Sequence, residues 1–270
     1  MLNRRTTLIA ILTIFATIVL APTVKANLVS LSSLYVGTQA GDIIRLDQSL
    51  NVLGSINQGA GNGPAVIVGG QDGTIYHTSN SGFINRREAS LGLLNSTSAG
   101  CATCVHTKMI QLSNGNIIHD QRDTSTNAAG YLARNSDLGY ISDDGVVGST
   151  LGPVLHELSN GNFLSQLNDR MFERQNDFTH VKDEGDNGSA GHAANLSDGN
   201  AVWDANVVND TYHGVIVRSP GGMGYITDNA SPGTPVVQNV IGLSNGRLVE
   251  SRGVNYQVRA NGNVGGGPDR

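Results

Sequence analysis

The sequence predicts an all-β chain folded as a single β-propeller of six four-stranded blades, preceded by an N-terminal signal peptide. Three observations carry this. One turn phrase flanked by apolar runs returns along the whole chain; the key glycines of its copies (41, 73, 115, 161, 199 and 246) are spaced 32, 42, 46, 38 and 47 residues apart; and the composition is wrong for helices. Glycine supplies 35 of 270 residues, charged residues 14% and aromatic residues 5%, against a usual glycine share of about 7%. A coiled coil or helical bundle is excluded, and the mixed, sparse charge excludes a disordered polyelectrolyte.

The leader comes first. Arg4 and Arg5 precede an uncharged apolar run from Thr6 to Ala21, and Val24 and Ala26 supply the small residues of a cleavage site. This is the pattern of a secretory signal peptide, cut after Ala26. It divides the chain into residues 1–26 and a propeller domain over 27–270, and no later run is apolar enough to span a bilayer. Loss of Arg4, Arg5 and Lys25 leaves 14 basic and 22 acidic residues, a net charge of about −8. No basic stripe remains, so nucleic acid and anionic membranes are poor partners.

The clearest copies of the phrase are Leu112-Ser113-Asn114-Gly115-Asn116, Leu158-Ser159-Asn160-Gly161-Asn162, Leu196-Ser197-Asp198-Gly199-Asn200 and Leu243-Ser244-Asn245-Gly246-Arg247. Degenerate copies surround Gly73 and Gly41. Asn-Gly or Asp-Gly between apolar runs signals a tight hairpin, with both turn residues expected at positive φ in a type I′ turn. Four short strands with tight turns fill a unit of this length, and such sheets repeated are propeller blades. In the third unit the strands are expected near 107–112, 116–122, 130–135 and 139–148. Leu164 to Phe172 has some helical spacing, but its place directly after a turn favours strand. The first and last units are short, which points to a shared closing blade.

The third hairpin, preceded by His106, resembles the repeats of bacterial quinoprotein-like and arylsulfotransferase-like propellers. The resemblance covers the turn and its flanking strands in each unit. It implies the scaffold and carries no catalytic residue with it.

Propeller ligands bind at the channel mouth, on the face opposite these turns, whose Ser, Asn and Gly residues are read as turn chemistry. Counting seven residues back from each glycine places Lys108, His192 and Asn239 at the mouth, and counting five back places His156. These four are the ligand-binding candidates. An alternative reading draws His106, His156 and His192 together as ligands of a divalent metal, whose open positions would suit a lyase or hydrolase. On the second strands stand His77, His119, Asp120, Asp123, Trp203, Asp204 and Glu250, with cross-strand bonding as the leading expectation.

Cys101 and Cys104 lack the adjacent histidine of a haem site and the βαβ setting of a redox pair, so in an exported protein they are expected to form a local disulfide. The acidic run Asp183 to Gly188 does not match a calcium-hand spacing. No G-x-S-x-G elbow, phosphate loop or sialidase-type aspartate box is present, and the single tryptophan weakens a lectin reading. The expectation is an exported, non-catalytic binding propeller without a cofactor. It would be a monomer whose partner is an extracellular or envelope protein, a glycan or a small ligand.

Overall fold

A computed structural model describes residues 33–260 except 39, 60–63, 65, 80–81, 99–103, 124, 127–128, 145–150, 168–169, 185–190, 207–211, 223, 229–230, 233–236, 246 and 253–254. The predicted signal peptide, Cys101, and most of the 183–188 acidic run lie outside the described residues. Among the described residues there is no helix, and none long and apolar enough to cross a membrane.

The described residues form six antiparallel sheets in chain order. Sheet 1 holds β1 (Leu34–Gly37), β2 (Asp42–Leu46) and β3 (Val52–Asn57). Sheet 2 holds β4 (Ile67–Gly69), β5 (Ile75–Thr78), β6 (Phe83–Arg87) and β7 (Leu93–Ser98). In sheet 3 a broken inner strand, β8 (Cys104–Val105) and β9 (Met109–Gln111), pairs with β10 (Ile117–Asp123), followed by β11 (Ala129–Arg134) and β12 (Tyr140–Asp143). Sheet 4 holds β13 (Leu151–Glu157), β14 (Phe163–Leu167), β15 (Arg170–Arg174) and β16 (His180–Glu184), so the 164–172 segment is strand as expected. Sheet 5 holds β17 (Ala193–Asn195), β18 (Ala201–Asn206), β19 (Tyr212–Ser219) and β20 (Gly224–Asp228), with β21 (Ser231–Pro232) also on β19. Sheet 6 holds β22 (Val237–Gly242), β23 (Arg247–Arg252) and β24 (Asn255–Ala260). The inner strands β4, β9, β13, β17 and β22 each lie beside the next, which is the radial order of a propeller.

The hairpin chemistry differs from expectation. In the 115, 161 and 199 turns the glycine N–H donates to the carbonyl three residues back, and the residue after the glycine accepts from the first turn residue. Only the glycine has positive φ: 90° at Gly115, 84° at Gly161 and 88° at Gly199. This is a type I turn closed by a left-handed glycine, not a type I′ turn. The Asn or Asp before the glycine earns its place differently, since its side-chain oxygen accepts the N–H two residues on: Asn114 from Asn116 at 2.9 Å, Asn160 from Asn162 at 3.0 Å and Asp198 from Asn200 at 3.0 Å.

Gly41 belongs to another class of turn. Residues 34–52 align without a gap on residues 75–93, so that Tyr35 matches Tyr76 and Gly41 matches Gly82, in the turn between second and third strands. The hydrogen bonds agree. Tyr35 Oη donates to the Ala89 carbonyl of sheet 2 at 2.8 Å, and Tyr76 Oη to the Ser136 carbonyl of sheet 3 at 2.9 Å. Sheet 1 therefore contains the three outer positions of a blade, and sheet 6 the three inner ones. Gly41 is therefore equivalent to Gly82 and not, as the spacing predicts, to Gly73, and lies one strand further along the blade.

Sheets 2 to 5 bury both faces. Tyr76, Ile84, Met109, Ile117 and Leu138 close the layer between sheets 2 and 3, and Ile118, Tyr131, Phe163 and Phe178 the layer between sheets 3 and 4. Trp203 is fully buried between Leu164 and Met171 of sheet 4 and Ala201 and Ile216 of its own sheet. A second set of turns, joining third to fourth strands, supplies the wedges. Leu91, Leu138 and Phe178 adopt φ of 79°, 67° and 67°, a conformation that bulky side chains avoid, and each packs into the preceding sheet. On sheet 6, Tyr256 is 77% exposed where Ile84, Tyr131, Met171 and Val215 are fully buried.

Candidate functional site

The mouth is expected where the inner strands begin. On the second strand, the residue five past the turn glycine holds the opposite inner strand through its side chain. In sheet 3 Asp120 accepts from the Thr107 N–H at 2.8 Å, the Lys108 N–H at 2.9 Å and the Thr107 hydroxyl at 2.5 Å. In sheet 5 Asp204 accepts from the Gly191 N–H at 2.8 Å and the His192 N–H at 2.6 Å. In sheet 2 Thr78 does the same for the Val66 N–H at 3.1 Å, and in sheet 6 Asn239 stands opposite Ser251. A short side chain thus replaces part of the ladder where the chain turns onto the channel.

Lys108, His192 and Asn239 accordingly occupy equivalent places, as counting predicted, but their side chains differ in use. Lys108 Nζ donates to the Gly152 carbonyl of sheet 4, and burial lowers its pKa while Asp120 opposes that. His192 and Asn239 are exposed. His156 sits deeper, paired with Leu164 in the ladder, and its buried Nε2 has no hydrogen-bond partner among the described residues. Burial lowers its pKa to about 4, with Asn195 of the next sheet pulling the other way.

His106 turns inward. Its Nδ1 meets the Asp120 carbonyl, and its ring stands edge-on to His119 with centroids 5.3 Å apart. Burial holds it below the ordinary histidine range. The structure therefore does not bring His106, His156 and His192 together: one is buried against the second strand, one lies mid-ladder and one is exposed. Among the described residues no three His, Cys, Asp or Glu side chains group as a metal site. Cys104 is buried on β8, and its expected partner Cys101 lies outside the described residues.

His77 and His119 have structural partners. Arg87 Nε donates to His77 Nε2 at 2.9 Å, and Arg134 Nε to His119 Nε2 at 3.1 Å. The acceptor role of Nε2 assigns the proton to Nδ1, which faces the carbonyls of Thr78 and Asp120. Burial lowers the two pKa values to about 4 and about 3. In sheet 6 Glu250 takes the same role, accepting from Arg259 Nε at 3.0 Å. These arginines were not singled out from the sequence, although Arg87, Arg134 and Arg174 each stand four residues before a left-handed Leu or Phe.

Adjacent inner strands are joined near the turn face. The Gln71 N–H donates to Gln111 Oε1 at 2.7 Å, the Ser113 N–H to Glu157 Oε1 at 2.6 Å, and Asn195 Nδ2 to the Glu157 carbonyl at 2.9 Å. Between sheets 5 and 6 the backbones come so close that a methyl at Gly242 would run into the Asn195 carbonyl. Asn195 is thereby tied into a sheet-to-sheet contact, although it stands in a glycosylation-type sequon.

No known protein family matches the sequence, and no curated protein does. Solved structures do. The chain is similar to the Dos1 propeller (12% identity, TM-score 0.60, covering 87% of this chain and 70% of that one) and to the Neurospora crassa Pan2 WD40 domain (12%, 0.58, 85% and 76%). It is also similar to a Bacteroides caccae protein of unknown function (14%, 0.54, 82% of each chain). At such identity the likeness concerns the scaffold, and it agrees with the sheet order described above: the chain is a β-propeller.

Proposed function

We propose that this chain is an exported, non-catalytic binding propeller. In this reading cleavage after Ala26 releases a monomer with a Cys101–Cys104 disulfide. Its ligand, an extracellular or envelope protein, a glycan or a small molecule, meets the channel mouth at His192 and Asn239, with Lys108 and His156 behind them. The observation that carries the reading is the use made of the reactive side chains. Asp120, Asp204, His77, His119 and Glu250 spend their hydrogen-bonding capacity on strands of their own sheets, while the groups left facing solvent at equivalent places of sheets 5 and 6 are an imidazole and an amide. Such groups suit recognition through hydrogen bonds.

The test is a binding panel of peptidoglycan fragments, chitin oligomers and extracellular-matrix peptides, run on the mature chain and on a His192→Ala/Asn239→Ala variant. Retention of one class by the parent, reduced at least tenfold in the variant at unchanged melting temperature, supports the reading. Stoichiometric zinc that survives dialysis and disappears in His156→Ala would overturn it in favour of a metal-dependent lyase or hydrolase.

A further inference from the structure

Three sheets make the same internal bond. The residue four past the first-turn glycine accepts from the arginine Nε at the end of the third strand: His77 from Arg87 at 2.9 Å, His119 from Arg134 at 3.1 Å and Glu250 from Arg259 at 3.0 Å. Sheet 4 puts Ser165 and Arg174 at these two places. The ladder proves the equivalence, because Arg174 pairs with Phe163 as Arg134 pairs with Ile117, and Ser165 pairs with Phe172 as His119 pairs with Leu132.

A serine is too short to span the distance an imidazole covers. Ser165 is fully buried and Arg174 only 7% exposed, and both Ser165 Oγ and Arg174 Nε are buried without a hydrogen-bond partner among the described residues. Two polar atoms at the ends of a space that a side chain fills in sheets 2 and 3 call for a third group between them. The surroundings set its charge. Asp144 of sheet 3 acts on Arg174 as a counter-charge, and the Phe172 ring lies 5.0 Å from the guanidinium carbon. With the cation already balanced, a neutral group fits better than an anion.

We propose that sheet 4 contains an internal binding site for one small neutral hydrogen-bond acceptor, held by Arg174 Nε and the Ser165 hydroxyl where a histidine ring stands in sheets 2 and 3. Water is its occupant in plain buffer, and free imidazole is the larger molecule of matching chemistry. The site is independent of the channel mouth.

The experiment uses the mature chain and Ser165→His. A high-resolution crystal structure is expected to show an ordered solvent peak within hydrogen-bonding distance of both atoms. Free imidazole at about pH 8, where it is neutral, is expected to raise the melting temperature of the parent and to shift the Arg174 Nε–H resonance. Ser165→His should melt higher than the parent and lose the response to imidazole. A parent crystal with no peak between the two atoms, together with an Arg174 resonance that imidazole does not move, would overturn the proposal and mean that the Phe172 ring fills the space; the resonance decides the matter even if Ser165→His fails to fold.

Discussion

Arg86 of sheet 2 and Glu173 of sheet 4 occupy the same position with opposite charge and perform the same task. Each lies on the third strand, opposite the residue three past the turn glycine: Arg86 opposite Tyr76, Glu173 opposite Leu164. Arg86 binds Asp72 of its own first turn at 2.6 Å and Asp137 of the outer turn of sheet 3. Glu173 accepts from Asn160 and Asn162 of its own first turn at 3.1 and 2.6 Å, and from the Gly221 and Gly222 N–H groups of sheet 5 at 2.7 and 2.9 Å. In these two sheets the position clamps neighbouring sheets together, and either charge serves when the turns carry the complementary groups; in sheets 3 and 5 the same place holds Ala133 and Val217.

The clamp in sheet 4 is the stronger one, because Glu173 is fully buried and all its donors are N–H groups. Glu173→Ala should cost on the order of 3 kcal/mol, since it strands several buried donors, whereas Arg86→Ala, at a more exposed pair, should cost about 1 kcal/mol or less. Urea unfolding of both variants checks the ranking. Burial pushes the Glu173 pKa up, but the four donors more than offset this and leave it below the usual value. Its contribution is therefore present above the unfolded glutamate pKa and disappears as pH falls through the lower folded one.

Histidines give the chain a second, higher window of acid sensitivity. Folded His77, His119 and His156 titrate at about 4, 3 and 4, all lowered chiefly by burial. Between the unfolded value near 6.5 and those values the unfolded chain binds protons that the folded chain does not, so stability falls as pH drops through this range. Over the whole of this range each group accounts for roughly 3–5 kcal/mol of the loss. His119→Gln keeps an acceptor for Arg134 and removes one titration. Its unfolding free energy should decline less steeply from pH 7 to pH 5 than the parent's, and an unchanged slope would contradict the assignment.

The left-handed wedges oppose strain to burial. Leu138 and Leu50 share the turn and its positive φ, 67° and 64°, but Leu138 is 2% exposed within the layer between sheets 2 and 3, while Leu50 is only half-buried. Glycine relieves about 1 kcal/mol of backbone strain at either place, but a buried leucine truncated costs about 2–5 kcal/mol. Leu138→Gly should therefore destabilise by roughly 1–4 kcal/mol, and Leu50→Gly should be close to neutral. Thermal melts of the pair measure the difference directly.

These wedges also explain why half of the repeat was legible and half was not. Asx-Gly turns are local chemistry: the glycine relieves a steric clash and the Asn or Asp oxygen closes its own loop, so Gly73, Gly115, Gly161 and Gly199 marked true first hairpins. Leu91, Leu138 and Phe178 contradict local preference and are held by burial against another sheet, which spacing along the chain does not reveal. The error at Gly41 has a related cause, because the turns at Gly41 and Gly82 use the same left-handed glycine in the next hairpin of the blade. The count along the chain sets Lys108, His192 and Asn239 at one level, where the ladders of their sheets also put them. It could not tell which way His106 faces, since that is decided by the carbonyl of Asp120 and the ring of His119 across the sheet.

The same Glu173 clamp governs the chemical ageing of two otherwise alike turns. Asn114-Gly115 and Asn160-Gly161 share backbone geometry, and in both the glycine N–H donates within the turn. Deamidation requires that the glycine nitrogen lose its proton and bond to the asparagine Cγ while the Cγ–Nδ2 bond breaks and ammonia leaves; water then opens the ring to aspartate or isoaspartate. Asn160 Nδ2 is held by Glu173 Oε1, so its amide is fixed against that rotation, whereas Asn114, exposed like Asn160, bonds among the described residues through its oxygen alone. Asn114 should convert first, and it should do so at little structural cost because Asp198 already stands at the matching place in sheet 5 and makes the same Asx bond. Conversion of Asn160 would instead set a second carboxylate against Glu173 and open the joint between sheets 4 and 5. Peptide mass spectrometry after incubation at mildly alkaline pH should find the Asn114 peptide converted well before the Asn160 peptide, and Glu173→Ala should bring the two rates together; equal rates in the parent would show that the carboxylate gives no protection.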